Sequence, residues 1–185
     1  MKLKKFNFKT INSTNDQAIR IIKNSNNKSG IIIAEKQKKG RGQYGKKWTS
    51  IKGNLLVSIF FPITKIRLSL KELTEINCLL VKKLVSIFYK GKIVIKKPND
   101  LLVNKKKISG ILQETLINSG EKFIIIGIGI NIIKSPKIKD YPTTDFLELT
   151  GIKITSNNVM LKLKRIYEKY IPILSKLNIK NVGKI

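Results

Sequence analysis

The stretch "KGRGQYGKKWTS", Lys39–Ser50, sets glycine at 40, 42 and 45 among Lys39, Arg41, Lys46 and Lys47. Glycines permit backbone excursions and cationic side chains pair with anions, so the composition points to bound negative charge. Two phosphate patterns overlay it: Gly40–Gly45 satisfies G-x-G-x-x-G, and Gly40–Lys46 satisfies G-x-x-x-x-G-K. Neither fits its surroundings. A Walker A loop carries Ser or Thr after its lysine and opens a helix, whereas Lys47 stands there and a strand pattern follows. A dinucleotide fingerprint needs a helix after the glycines and an acidic residue about 20 positions on. That offset holds Thr64, Lys65 and Ile66. The kinase glycine loop wants Val two places past its last glycine, where this chain has Lys47. Lying between two strands, the loop reads as a flap that closes on an anion or, taken alone, as a solvated basic hairpin.

The chain has 185 residues, 42% of them hydrophobic, which suits a single folded core. Its formal charge of +27 would suit a polyanion partner. The lysines are scattered, however, and arginine occurs only at 20, 41, 67 and 165. Lysine, isoleucine and asparagine together are what AT-rich coding favours, so the charge marks codon bias and implies no specific nucleic acid. The one cysteine, Cys78, lies in the apolar helical pattern "LTEINCLLVKKL" and reads as buried filler in a protein of a reducing compartment. No histidine is present, which removes the commonest general base and zinc ligand together and argues against a transition-metal site. "MKLKKFNFKT" has no apolar signal core and no run approaches a membrane span. The expected location is the cytoplasm, with no membrane partner.

Outward from the loop, "GIIIAEKQ" from Gly30 enters it as a strand and "GNLLVSIFFP" leaves it as another, closed by Pro62. Leu3–Phe8 reads as a short strand, and "INSTNDQAIRIIKNS" as a helix behind Ser/Thr/Asn caps. Ser69–Phe88 is the clearest helix. The segment "KIVIKKPNDLLVNKKKISGILQETLINSG" reads as two strands joined near Asn104, and "KFIIIGIGINI" as a buried strand studded with glycine. A last helix is expected near Asn157–Ser175. The result is one α+β domain. The Pro-Asn-Asp turn with its lysine cluster, the glycines of "GIGIN" and the basic loop are three unusual compositions that suggest one pocket.

Six segments in order then carry a resemblance: "NSTN" at 12–15, "AEKQKKGRGQYGKKWTS" at 34–50, "GNLLVSI" at 53–59, "KPNDLLVNKKKISGIL" at 96–112, "GIGINI" at 127–132 and "TTDFLELTG" at 143–151. The chain resembles the catalytic domain of biotin protein ligases, also called biotin–acetyl-CoA-carboxylase ligases, over residues 1–175. The resemblance implies the class II aminoacyl-tRNA synthetase-like fold of the biotin–lipoate ligases, a mixed sheet flanked by helices. It leaves 176–185 as a short C-terminal tail, with no N-terminal winged helix and no full C-terminal SH3-like domain. The implied substrates are biotin and ATP with Mg2+, with no tightly bound prosthetic group. The implied partner is a biotin carboxyl carrier protein. Pairing with a second copy of the chain stays open.

The implied reaction joins the biotin carboxylate to the α-phosphate, then passes biotin to a carrier lysine. The substrates bring their own nucleophiles, so positioning and charge stabilisation are what remain for the protein. By the resemblance, Ser13, Thr14, Asn15 and Gln37 bind the biotin ureido end. Arg41, Gly42 and Gln43 line the flap over its carboxylate, and Gly110 and Gly127 admit the ligand close to the backbone. Lys107 is the implied catalytic lysine, with Arg41 beside it. Lys46, Asn99, Asn131 and Trp48 match the nucleotide side, although Trp48 also reads as a brace for the loop. Asp100 reads as an orienter of magnesium or of the incoming amine, or as a cap of the turn after Pro98.

Two departures stand out. Gln43 occupies the place of the flap's usual second arginine, which implies weaker retention of the intermediate by roughly 1 kcal/mol or more. Lys97 occupies the place of the tryptophan usual before Pro-Asn-Asp. The rival readings are a lipoate or octanoate ligase on the same fold, which would want an apolar tunnel in place of the Ser/Thr/Asn cluster, a basic nucleic-acid-binding module, and a ligase that binds biotin without turnover.

Overall fold

The computed structural model describes residues 1–176; of the expected C-terminal tail, residues 177–185 lie outside the described residues. Seven strands form one sheet: β1 (Lys4–Ile11), β2 (Gly30–Gln37), β3 (Leu55–Pro62), β4 (Ile93–Lys96), β5 (Asp100–Val103), β6 (Lys106–Asn118) and β7 (Glu121–Ile130). Their order is β1-β2-β3-β7-β6-β5-β4. Only β1 and β2 are parallel, and a parallel neighbour requires a crossover, supplied here by α1 (Thr14–Asn24). The helices α2 (Leu70–Phe88), α3 (Phe146–Thr150) and α4 (Ser156–Leu174) complete the mixed sheet flanked by helices that the sequence implied. The segment from Lys92 to Gly120 departs from its sequence reading. It makes three strands, because Lys97–Asn99 is itself a tight turn between β4 and β5. Helix α3 is a further element that the sequence reading did not contain.

The two faces of the sheet differ. Leu55, Val57, Ile59 and Phe61 alternate with Leu56, Ser58 and Phe60 along β3, so successive side chains divide between the faces. On one face the larger core joins odd-numbered β3 residues and Ile124, Ile126, Ile128 and Ile130 of β7 to α2 and α4. A smaller core sits on the other face, where Ala18 and Ile22 of α1 pack with Ile32, Phe60 and Ile125. Helix α2 opens on a reciprocal cap, Ser69 accepting from the Glu72 amide while the Glu72 carboxylate accepts from the Ser69 amide. Cys78 is buried at 1% exposure and burial pushes its thiol up to about 11, so it stays a protonated space-filler. Among the described residues no helix is long and apolar enough to cross a membrane.

A polar chain runs outward from the larger core to the surface. The Tyr167 hydroxyl donates to Asn77 Oδ1 at 3.0 Å, Asn77 Nδ2 donates to Gln113 Oε1 at 2.9 Å, and Gln113 Nε2 closes on the Leu70 carbonyl. Burial pushes the Tyr167 hydroxyl far above its ordinary value, so it remains a donor. This chain ties α4 to α2 and α2 to β6. Tyr167→Phe removes the donor and leaves Asn77 Oδ1 buried without a partner; urea unfolding should show a loss of about 1–3 kcal/mol.

Candidate active site

On the α1 side of the sheet, Gly127 and Gly129 of β7 and Gly110 of β6 leave the backbone bare across neighbouring strands. These are close-approach positions. A Cβ on Gly127 would come within 2.6 Å of Asn15 Oδ1, one on Gly129 within 2.3 Å of the Trp48 indole, and one on Gly110 within 2.8 Å of the same ring. The glycines therefore form the floor of a cleft of about 450 Å3, a volume in the range of small-molecule sites, roughly 300–1,000 Å3.

One end of the floor is polar. Ser13 caps α1 by accepting from the Asp16 amide, and the helix start aims Thr14 and Asn15 inward. Gln37, at the end of β2, accepts from both the Thr14 amide (2.7 Å) and hydroxyl (3.0 Å). The Ser58 hydroxyl, fully buried on β3, lies 2.7 Å from Thr14 Oγ1 and also reaches Asn15 Oδ1. Asn15 Nδ2 donates to Glu114 on β6 at 2.6 Å. Donors and acceptors are thus fixed in place before any ligand arrives, the arrangement suited to a polar ring.

The other end is charged. Lys107, at the start of β6, meets Asp100 at 2.7 Å, with exposures of 14% and 23%. Asp100 Oδ1 is shielded from solvent and takes the Lys107 ammonium as its partner in this ion pair. The same ammonium sits 5.5 Å from the Trp48 ring and 5.2 Å from the Tyr141 ring, an aromatic cage for a cation. Burial first, then Asp100 and Asp140, raises the Tyr141 hydroxyl above its ordinary value. The backbone of Lys107 is gripped on both sides: its amide donates to the Pro142 carbonyl, and its carbonyl accepts from Thr144.

The basic loop arches over this floor as a small hairpin. The Gly42 amide donates to the Lys46 carbonyl and the Trp48 amide to the Gly40 carbonyl. Tyr44, with φ of 54°, turns its tip and is 89% exposed. Gln43 faces the cleft with Oε1 shielded and without a hydrogen bond, an acceptor available to a bound donor. Arg41 reaches across to Glu114 and Asp16 (2.8 and 2.7 Å), and Glu114 above all holds its guanidinium firmly charged.

Of the residues singled out in the sequence, Ser13, Thr14, Asn15, Gln37, Arg41, Gly42, Gln43, Lys46, Trp48, Asn99, Asp100, Lys107, Gly110 and Gly127 all line this cleft. Asn99 does so as a backbone clamp, exchanging hydrogen bonds with Ile111 through both its main chain and its amide. Asn131 lines a small recess that adjoins the cleft and shares Trp48, Lys107 and Tyr141 with it. It is 2% exposed and donates to the Thr144 carbonyl, in a knot with Asn54 that braces the loop over Lys107. Ser58, Glu114 and Tyr141 belong to the same site without having been read from the sequence, whereas Gly129 is the second of the "GIGIN" glycines already noted there. Ser58 is a lone hydroxyl in an apolar strand and Glu114 shares the strand parity of Gly110, so both carried a readable signal. Tyr141, in a coil segment, carried none.

A cleft with a rigid polar pocket at one end, a caged lysine–aspartate pair at the other and a basic hairpin above defines a binder of ligands with a polar head and an anionic tail. The chain belongs to the biotin/lipoate A/B protein ligase family, whose model matches residues 7–131. It is 29% identical over 171 residues to the bifunctional ligase/repressor BirA of Bacillus subtilis (strain 168), covering 86% of this chain and 51% of that protein. Against the biotin–[acetyl-CoA-carboxylase] ligase of Mycobacterium tuberculosis it is 25% identical over 147 residues, 76% of this chain and 53% of that one. The chain thus spans about half the length of these curated relatives. Among solved structures, the biotin protein ligase of Aquifex aeolicus in complex with biotin and ATP superposes with a TM-score of 0.82 at 25% identity, over 98% of this chain and 76% of that one.

The glycine floor is directly testable, because Trp48 is the sole tryptophan. Gly129→Ala forces the indole off the sheet, since a 2.3 Å approach cannot be accommodated. Its emission should shift to the red and the fold should lose about 1–3 kcal/mol. Unchanged emission would show that the ring does not rest on Gly129.

Proposed function

We propose that this chain is an ATP-dependent biotin ligase that forms biotinyl-5′-AMP and passes biotin to a lysine of a biotin carboxyl carrier protein. The observation that carries the reading is the caged Lys107–Asp100 pair at the end of a cleft whose far end is a preformed hydrogen-bonding pocket. The ligands named for the Aquifex aeolicus structure, biotin and ATP, support the same pair of substrates.

In the first step a biotin carboxylate oxygen attacks the α-phosphorus of ATP; the new bond is acyl–phosphate and pyrophosphate leaves. Two anions must approach each other, so the barrier is largely electrostatic. Lys107 bridges the carboxylate and the α-phosphate and offsets the charge that accumulates between them. Thr14, Asn15, Gln37 and Ser58 hold the ureido ring, which fixes the carboxylate at the cationic end and makes attack effectively intramolecular. Lys46 and Trp48 belong to the nucleotide end. Mg2+ bound with ATP would further neutralise the phosphates. Asp100, held beside Lys107 at 2.7 Å, is the carboxylate placed to meet either that cation or the incoming amine.

In the second step the carrier lysine, as a free amine, attacks the acyl carbon; the amide bond forms and AMP departs. No protein nucleophile is required, consistent with a chain without histidine whose one cysteine is buried. A polar pocket formed by Thr14, Asn15, Gln37 and Ser58 favours a ureido ring over the dithiolane and alkyl chain of lipoate.

The protein incubated with α-labelled ATP and biotin, without carrier, should yield a labelled biotinyl adenylate, with little product when lipoate replaces biotin. Lys107→Ala should lower the rate by about 10²–10³-fold, the usual effect of removing one preorganised charge stabiliser. A lipoate-dependent product would reassign the substrate, and a fully active Lys107→Ala would remove Lys107 from the chemistry.

A further inference from the structure

Glu114 has no part in the reaction as described, yet it touches both halves of the site. Along β6 it follows Gly110 and Leu112 on the cleft face, directly beyond the glycine floor. Its carboxylate accepts from Asn15 Nδ2 at 2.6 Å and from Arg41 through both terminal nitrogens, at 2.8 and 3.0 Å. Arg41 Nη2 also donates to Asp16 at 2.7 Å. One carboxylate thus joins the ring-binding floor to the base of the flap.

Each contact has a specific consequence. An ionised carboxylate only accepts, so it admits only the NH2 side of the Asn15 amide and fixes which way that amide is turned. Asn15 Oδ1 then faces Ser58 and lies over Gly127. Arginine matches a carboxylate as a planar fork, which restricts orientation as well as distance. Arg41 begins the flap hairpin, pairing across to Lys47. Holding its guanidinium on β6 and α1 pins the hairpin's base to the floor. Both terminal nitrogens are already engaged by protein carboxylates.

We propose that Glu114 is a positioning residue for acyl activation: it sets the Asn15 amide in the floor and anchors the flap through Arg41, so that the same carboxylate governs ring binding and retention of the adenylate. Arg41 acts as the flap's anchor, and Lys107 supplies the cation at the reacting atoms. The inference deepens the proposed function and rests on it for the adenylate, although the flap anchor itself does not.

The test uses Glu114→Gln, which keeps the length and one acceptor for Asn15 but turns an N–H donor toward Arg41. In the ligand-free protein, hydrogen–deuterium exchange at the flap amides of Gly42 and Trp48 should rise about tenfold, with β6–β7 amides unchanged. Arg41→Ala should give the same rise, and the double variant no more than either alone, because the two residues act through one link. With biotin and ATP, Glu114→Gln should release biotinyl adenylate about tenfold faster while biotin affinity moves less than about twofold; Glu114→Ala should weaken both. Unchanged flap exchange in both Glu114→Gln and Arg41→Ala overturns the anchor, whatever the substrate. Faster exchange with unchanged adenylate release overturns the link to retention. A wild-type protein that forms no biotinyl adenylate overturns the proposed function instead, with the anchor decided by exchange alone.

Discussion

Everything in the cleft depends on backbone left uncovered. Gly110, Gly127 and Gly129 lie on one face of adjacent strands, and at each a single methyl group would collide with Asn15 or Trp48. A sheet interior normally fills such positions with β-branched side chains, as the isoleucines between these glycines do on the opposite face. The strand pair β6–β7 therefore serves two purposes by parity. Its isoleucine side closes the larger core against α2 and α4, and its glycine side lets an asparagine and an indole lie flat on the sheet. The ladder with β3 and β5 keeps the floor rigid despite the missing side chains.

Rigidity matters because the proposed reaction calls on no nucleophile or redox group of the protein: both of its nucleophiles come from the substrates. What the fold supplies is position and field. Lys107 is fixed by backbone hydrogen bonds on both sides, by Asp100 and by two aromatic rings, so its ammonium occupies one place before a ligand enters. A cation held that way needs little reorganisation when negative charge develops beside it. The loop across Lys107 is itself braced by Asn54, whose Oδ1 accepts from the Ile132 and Ile133 amides, and by Asn131 beneath it. Buried asparagines here take the place of regular secondary structure in holding a coil segment over the site.

Much of this was legible in the sequence, for local reasons. Period-2 and period-3.6 patterns gave the long strands and helices of an α+β domain, three unusual compositions suggested one pocket, and the resemblance carried by six ordered motifs implied the particular fold. Where the reading stopped short, pairing and long-range contacts decide the outcome. The turn at Lys97–Asn99 was visible as Pro-Asn-Asp, but that it ends one strand and starts another is decided by the antiparallel pairing of Ile93–Lys96 with Asp100–Val103 across it. Asn131 can be seen in the sequence to follow two glycines, but the bonds to Asn54 and Thr144 that hold it behind Lys107 come from other segments of the chain. Glu114 lies 99 residues from Asn15 and 73 from Arg41. Strand parity puts it on the cleft face, but nothing local indicates which groups it meets there.

The charge composition points the same way. With 38 basic side chains to 11 acidic ones, a lysine at any one position says little, whereas each carboxylate is scarce and its partner informative. Several pair with surface lysines, as Glu121 does with Lys28 and Glu75 with Lys97, contacts worth little individually at high exposure. Asp16, Asp100 and Glu114 differ: each fixes a cationic residue of the cleft, Arg41 or Lys107. In a protein so rich in mobile positive charge, an anionic ligand would find many weak attachments. Specificity then requires that a few cations be oriented and the rest left to solvent, and the scarce carboxylates supply that orientation.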